Sequence, residues 1–164
     1  MIGLCGGSAT GKTRFIRELR NYFDEKELCI ISQDEYYKIQ ELQVADENGI
    51  INYDLPSAIN HEAFAADLNA LRSGKTLQKE EYTFNNPSVK PRLLTFHTAP
   101  VIIVEGIFIF HYPEVASLFD LKLFLQTRHD LQLARRMQRD TRERDYNENH
   151  VLYTQQHHID PAYQ

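Results

Sequence analysis

Eight consecutive residues near the start constrain this chain more than anything after them. Gly6-Gly7-Ser8-Ala9-Thr10-Gly11-Lys12-Thr13 matches G-x-x-x-x-G-K-[ST], the phosphate-binding loop. Its glycines let the backbone wrap until its N–H groups point at phosphate oxygens, and the helix that follows adds its dipole. The motif requires a strand before it and a helix after it. Met1 to Cys5 is a short apolar run, and Phe15, Ile16, Leu19 and Phe23 recur at helical spacing. The pattern predicts a helix from about Lys12 to Asp24. Lys12 is expected to reach the β- and γ-phosphates and Thr13 to ligate Mg²⁺.

The remainder alternates short β-type runs with helical ones, which predicts an α/β fold with a parallel sheet. Leu28 to Ser32, Val101 to Val104 and Leu121 to Leu125 read as strands, and Gln33 to Pro56 is polar and irregular. Asn60 is a candidate cap for a helix to about Arg72, with Phe64, Leu68 and Leu71 on one face and Gly74 ending it. Thr76 to Phe84 and Arg92 to Thr98 suggest a small antiparallel flap around Asn85-Asn86-Pro87 (about 76–98). Asp130 to about Arg144 reads as a helix within a lid of about 128–148, and Asn149 to His158 as a last helix that leaves His157-His158 at the surface. At 164 residues the chain corresponds to a single domain. Eighteen basic against 23 acidic residues, a net −5, argue against sequence-blind nucleic-acid or acidic-membrane binding. No apolar run is long enough to span a bilayer, no signal peptide is evident, and Cys5 and Cys29 have no metal or disulfide spacing, so a cytoplasmic protein is expected.

Binding a nucleotide leaves open what is done with its phosphate. No N-K-x-D guanine signature occurs, which disfavours a Ras-type GTPase. Val101-Ile-Ile-Val-Glu105-Gly106 is an apolar strand ending in a carboxylate, placing Glu105 to hold Mg²⁺ or its waters; a solvated strand-end acid is the plainer alternative. Asp34 follows the second strand, at the end where ligands gather in doubly wound sheets. A carboxylate there can take the proton of an attacking hydroxyl. Glu35 beside it is expected to point elsewhere, and an ordinary loop acid is the alternative for Asp34. Six of the eleven arginines (Arg128, Arg135, Arg136, Arg139, Arg142, Arg144) lie within seventeen residues. They read either as a lid that clamps transferring phosphates or as an exposed helix salt-bridged by the interleaved Asp140, Glu143 and Asp145.

Taken in order, these motifs resemble the uridine kinase branch of the P-loop nucleoside kinases, related to phosphoribulokinase. The resemblance rests on the loop, Ser32-Gln33-Asp34-x-Tyr-Tyr37, Asn52-Tyr53-Asp54-x-Pro56-x-Ala58, Tyr82-x-Phe84, Ile103-Val104-Glu105-Gly106-Ile107 and Ala134-Arg-Arg-x-x-Arg139-Asp140-x-x-x-Arg144. It implies a three-layer P-loop NTPase fold with a mostly parallel sheet, a small β-flap and an arginine-rich lid. By that resemblance Asp34 is the base for a ribose 5′-hydroxyl, Asp54 holds the ribose hydroxyls, and Tyr82 and Tyr37 belong to the nucleoside pocket. Arg136 becomes a substrate-side arginine, and Arg139 and Arg144 become catalytic lid arginines acting with Lys12.

Three positions depart from the family: Pro87 stands where a base-contacting histidine is usual, Glu143-Arg144-Asp145-Tyr146 replaces Glu-Arg-Gly-Arg, and Thr154 aligns with a glutamine. All three concern the acceptor side. The stretch Ser32-Gln-Asp…Asp46-Glu-Asn-Gly49…Tyr53-Asp54 also resembles nicotinamide riboside kinases. The family's last sheet strand and helix are expected to be missing. The expected activity is transfer of the γ-phosphoryl of ATP (or GTP), with Mg²⁺, to the 5′-hydroxyl of uridine or cytidine. Nicotinamide riboside or another ribosyl acceptor is the alternative, and a catalytically weak nucleotide-binding paralogue is the reading from another class. A nucleoside is the expected partner, with self-association and without nucleic acid or membrane.

Overall fold

The computed structural model describes residues 1–84, 86, 88–143 and 146–162. Pro87 and Arg144 lie outside the described residues. Four strands, β1 (Ile2–Gly6), β2 (Leu28–Ser32), β5 (Val101–Gly106) and β6 (Leu121–Leu125), form one parallel sheet in the order β2-β5-β1-β6. The runs are apolar almost throughout; β1, β2 and β5 are covered on both faces, whereas the edge strand β6 leaves Leu121 and Phe124 exposed. Cys29, Ile31, Ile102, Val104 and Cys5 point to one face. There they pack with Phe64, Leu68 and Leu71 of α2 (His61–Arg72) and Val115 of α3 (Pro113–Ala116). Leu28, Ile103 and Leu4 point to the other, against Ile16 and Leu19 of α1 (Lys12–Leu19). Alternation along each strand thus builds the expected three layers.

Most expected elements occur with small changes of boundary. Asn60 caps α2 through its side chain, which accepts the Ala63 N–H at 3.1 Å. The first helix is shorter than expected, ending at Leu19, because Asn21 and Tyr22 turn back onto the carbonyls of Glu18 and Leu19. Phe15 and Phe23, which share the apolar spacing, remain exposed. In the flap, β3 (Leu77–Glu80) pairs antiparallel with β4 (Leu93–Phe96). Pairing stops before Phe84, whose φ of 53° breaks the extended run.

The arginine-rich helix is α4 (His129–Glu143). The last helical segment is not uniform. Helix α5 (Glu148–Thr154), capped by Asn147, passes into a π-helical turn, Gln155–Ile159, and a final short helix, α6 (Asp160–Ala162). This changes the expectation for the histidine pair: His157 is exposed, whereas His158 is 3% exposed and faces inward. A π turn re-aims side chains that a regular helix would leave outside. Among the described residues no helix is long and apolar enough to cross a membrane.

Candidate active site

The carboxyl ends of β1, β2 and β5 open into a cleft of about 890 Å³, closed over by α4, α5 and the flap. The phosphate-binding loop forms its floor. Gly11 caps α1 with φ 108°, a conformation that residues with a Cβ rarely adopt, and Ala9 is also left-handed at 61°. No side chain caps α1, so the amides at its N-terminus point into the cleft. Thr10 Oγ1 donates to Gly7 O at 2.8 Å, and Lys12 Nζ lies 2.9 Å from Gly6 O and 3.2 Å from Gly7 O. Ser8, Lys12 and Thr13 all line the cleft.

Above the loop sits a group of oxygen donors. Parallel pairing puts Ser32 opposite Glu105, and Ser32 Oγ donates to Glu105 Oε1 at 2.5 Å. Asp34, in the 3₁₀ turn after β2, receives Ser32 Oγ as the acceptor of its own N–H at 3.2 Å. Burial raises the Glu105 pKa and the Asp34 charge raises it further, against the pull of Lys12. Asp34, Glu105 and Thr13 all line the same cleft. This all-oxygen set beside an anion-binding loop fits a hard divalent cation shared with phosphates. Glu35 points away, as expected, but because the 3₁₀ turn, with three residues per turn, carries successive side chains to different sides rather than because of strand alternation. Its Oε2 accepts the Tyr82 N–H at 2.7 Å, tying the flap to the end of β2.

On the lid side, two contacts seat α4 on the loop: Gln132 Nε2 donates to Ser8 O at 2.6 Å and Arg139 Nη2 to Ser8 Oγ at 3.0 Å. Asp140, only 2% exposed, binds the Nε of both Arg139 (2.8 Å) and Arg136 (3.1 Å). Arg136 is itself buried and donates to Gln155 Oε1 and Thr154 Oγ1, each at 2.8 Å. The helix therefore does not match the exposed, salt-bridged alternative on this face.

The cleft lining also carries an aromatic cluster and a further acid. Tyr37 lies 5.3 Å from Tyr82 and 5.8 Å from Tyr53 between ring centroids, and Tyr82 meets Phe84 edge-on at 5.1 Å. Asp54 and Arg136 line the same cleft. Burial pushes the Asp54 carboxyl above the usual aspartate range, although Arg136 and His158 pull the other way. Of the described site residues named from sequence, Ser8, Ala9, Gly11, Lys12, Thr13, Asp34, Tyr37, Asp54, Tyr82, Glu105, Arg136 and Arg139 border this one cleft, whereas Gly6, Gly7 and Thr10 of the loop do not line it. Arg144 lies outside the described residues. Sequence reading missed Gln132, Gln155 and His158 and gave Asp140 and Thr154 no part in holding the arginines; the signal of Asp140, Thr154, Gln155 and His158 is burial, which local spacing does not carry.

Comparison with known proteins identifies the fold and the family. A uridine kinase from Brevibacillus brevis is 37% identical over 144 residues, which are 88% of this chain and 67% of that protein. Among solved structures, a candidate fructose transport system kinase from Silicibacter sp. TM1040 superposes with a TM-score of 0.71 at 16% identity, covering 94% of this chain and 78% of that one. A candidate uridine kinase from Bacillus stearothermophilus gives 0.62 at 17% identity, over 94% and 82%. The profile of the Phosphoribulokinase / Uridine kinase family matches residues 1–164, so the chain belongs to this family of phosphotransferases.

Proposed function

We propose that the chain transfers the γ-phosphoryl group of ATP to the 5′-hydroxyl of a ribonucleoside, uridine or cytidine first. The observation that carries this reading is one shared cleft: the phosphate-loop residues Ser8, Lys12 and Thr13, with Arg139, border the same space as Asp34, Asp54, Tyr37 and Tyr82. The loop amides and Lys12 hold the β- and γ-phosphates. Thr13 and Glu105 would hold Mg²⁺, which would offset the negative charge of the phosphates. Asp34 accepts the proton of the acceptor hydroxyl, and Arg139 presents its guanidinium to the transferring group. Asp54 accepts hydrogen bonds from a vicinal diol, while Tyr37 and Tyr82 supply faces on which a planar base can stack.

The resemblance of Asp46 to Asp54 to nicotinamide riboside kinases makes that riboside the second acceptor to test. ADP release with ATP and Mg²⁺ is measured against uridine, cytidine, nicotinamide riboside and a no-acceptor control. Acceptor-dependent ADP release is expected, and Asp34→Asn is expected to lower kcat by about 10²- to 10⁴-fold with ATP binding retained. Absence of turnover with every acceptor overturns the reading, and near-normal turnover of Asp34→Asn overturns the assigned base.

A further inference from the structure

One wall of the cleft is a hairpin with little packing of its own. Ala45 pairs with Ile51, Asn52 N–H donates to Val44 O at 2.8 Å and Asp46 N–H to Ile50 O at 2.9 Å. Gly49, Ile50 and Ile51 of this hairpin line the cleft, yet Val44 at its base is 52% exposed. Polar contacts must therefore place it, and they converge on Asp46. One carboxylate oxygen, Oδ1, accepts the N–H groups of Asn48 and Ile50, both at 2.9 Å, and so shapes the turn. The other, Oδ2, faces outward from the hairpin and accepts Tyr153 OH at 2.8 Å and His158 Nε2 at 2.7 Å. Asn48 Nδ2 donates to the same Tyr153 hydroxyl at 2.7 Å.

Both sides of this junction lead to the acceptor site. Past the hairpin base, Asn52 Oδ1 accepts the Asp54 N–H at 2.9 Å, so the hairpin sets where Asp54 stands. On the helix, Thr154 and Gln155 follow Tyr153 directly and hold Arg136. We infer that Asp46 is a positioning residue: through Oδ2 it latches the 44–52 hairpin to the C-terminal helix and keeps Asp54 and Arg136 in register for the acceptor. The inference rests on the kinase reading for its kinetic consequence alone.

Asp46→Asn separates the two oxygens. Its amide oxygen can still accept the turn's N–H groups, but its NH₂ cannot accept from Tyr153 or His158. The acceptor KM is expected to rise about tenfold or more, the scale of one charge-assisted hydrogen bond, while kcat and the KM for ATP stay within about threefold. His158→Gln, which keeps an N–H donor, should lie closer to the parent protein than His158→Leu. An unchanged acceptor KM, or equal losses in kcat and both KM values, overturns the inference. Turnover by the parent protein tests the kinase reading separately. Hydrogen exchange tests the latch without turnover: Asp46→Asn should speed exchange of the Asn52 amide about tenfold or more and leave those of Ile103 and Val104 unchanged. Unaltered exchange at Asn52 overturns the latch whatever the activity.

Discussion

Gly106 closes β5 where the cleft begins, and its lack of a side chain is a packing requirement. A Cβ there would lie 2.5 Å from Gln33 Cβ, 2.6 Å from Gln33 Oε1 and 2.8 Å from Ile109 Cγ2. Gln33 is fully enclosed and its Oε1 accepts the Phe108 N–H at 2.9 Å. The Cβ of Gln33 is fixed to the backbone of the 3₁₀ turn and cannot swing aside as a side-chain tip would. Gly106→Ala therefore combines overpacking, about 1–3 kcal/mol, with loss of a bond to a buried N–H, about 1–3 kcal/mol. Together these are about 2–6 kcal/mol, which for a chain of this length lowers Tm by roughly 4–24 °C. Because Gln33 precedes Asp34, the folded fraction should also lose kcat. Thermal unfolding by circular dichroism reads the first effect. Gln33→Ala, which removes the same bond together with the enclosed side chain, should cost at least the bond's about 1–3 kcal/mol, and the double variant less than the sum, since both changes break the same bond. A Gly106→Ala melt within about 2 °C of the parent protein would refute the reasoning.

Arg139→Lys should lower kcat about 100-fold at saturating substrates, because an ammonium cannot span Asp140 and Ser8 as the guanidinium does; an unchanged kcat would remove Arg139 from the phosphate clamp. The two acceptor-side carboxylates should respond to acid in opposite ways. Burial lifts Asp54 above the ordinary aspartate range, so it takes up its proton early as pH falls, and the acceptor KM should rise at that point. Burial also acts to raise Asp46, but hydrogen bonds from His158, Ile50, Tyr153 and Asn48 outweigh it and hold the carboxyl well below the ordinary range. Its contribution to stability is complete above the unfolded value near 3.9 and is lost only as pH falls through the depressed folded value. Acid should thus weaken acceptor binding while Asn52 amide protection persists, and simultaneous loss of both would contradict the assignment.

What was legible in the sequence was carried by short-range chemistry. The phosphate loop, the Asn60 cap and the Phe64/Leu68/Leu71 stripe depend on spacings of a few residues, and each appears where its residues require. Strands β2 and β6 have the boundaries read from their apolar runs. The first helix did not, because the period of Phe15, Ile16, Leu19 and Phe23 cannot distinguish a face that packs on the sheet from one that frays into turns. Only Ile16 and Leu19 of that set reach the core.

The residues that escaped are those whose role depends on a partner far along the chain. Asp140 is the clearest case. At i, i+1 and i, i+4 from arginines it has the signature of a surface ion pair, which on an exposed helix contributes little. The fold instead brings Thr154 and Gln155 against Arg136 and Ser8 against Arg139, and the same acid becomes a buried anchor that orients both guanidiniums. Asp46 and His158 repeat the pattern across more than a hundred residues. An acid beside arginines and an acid in a turn are common in any polar stretch, so neither residue type nor spacing separates them from their exposed counterparts. Burial does, because a charged group withdrawn from water must be matched on every side, and that requirement fixes the direction in which its partners point. The candidate site residues that line the cleft are therefore readable from motifs, whereas the groups that hold them in place belong to a polar network assembled only once the chain has folded.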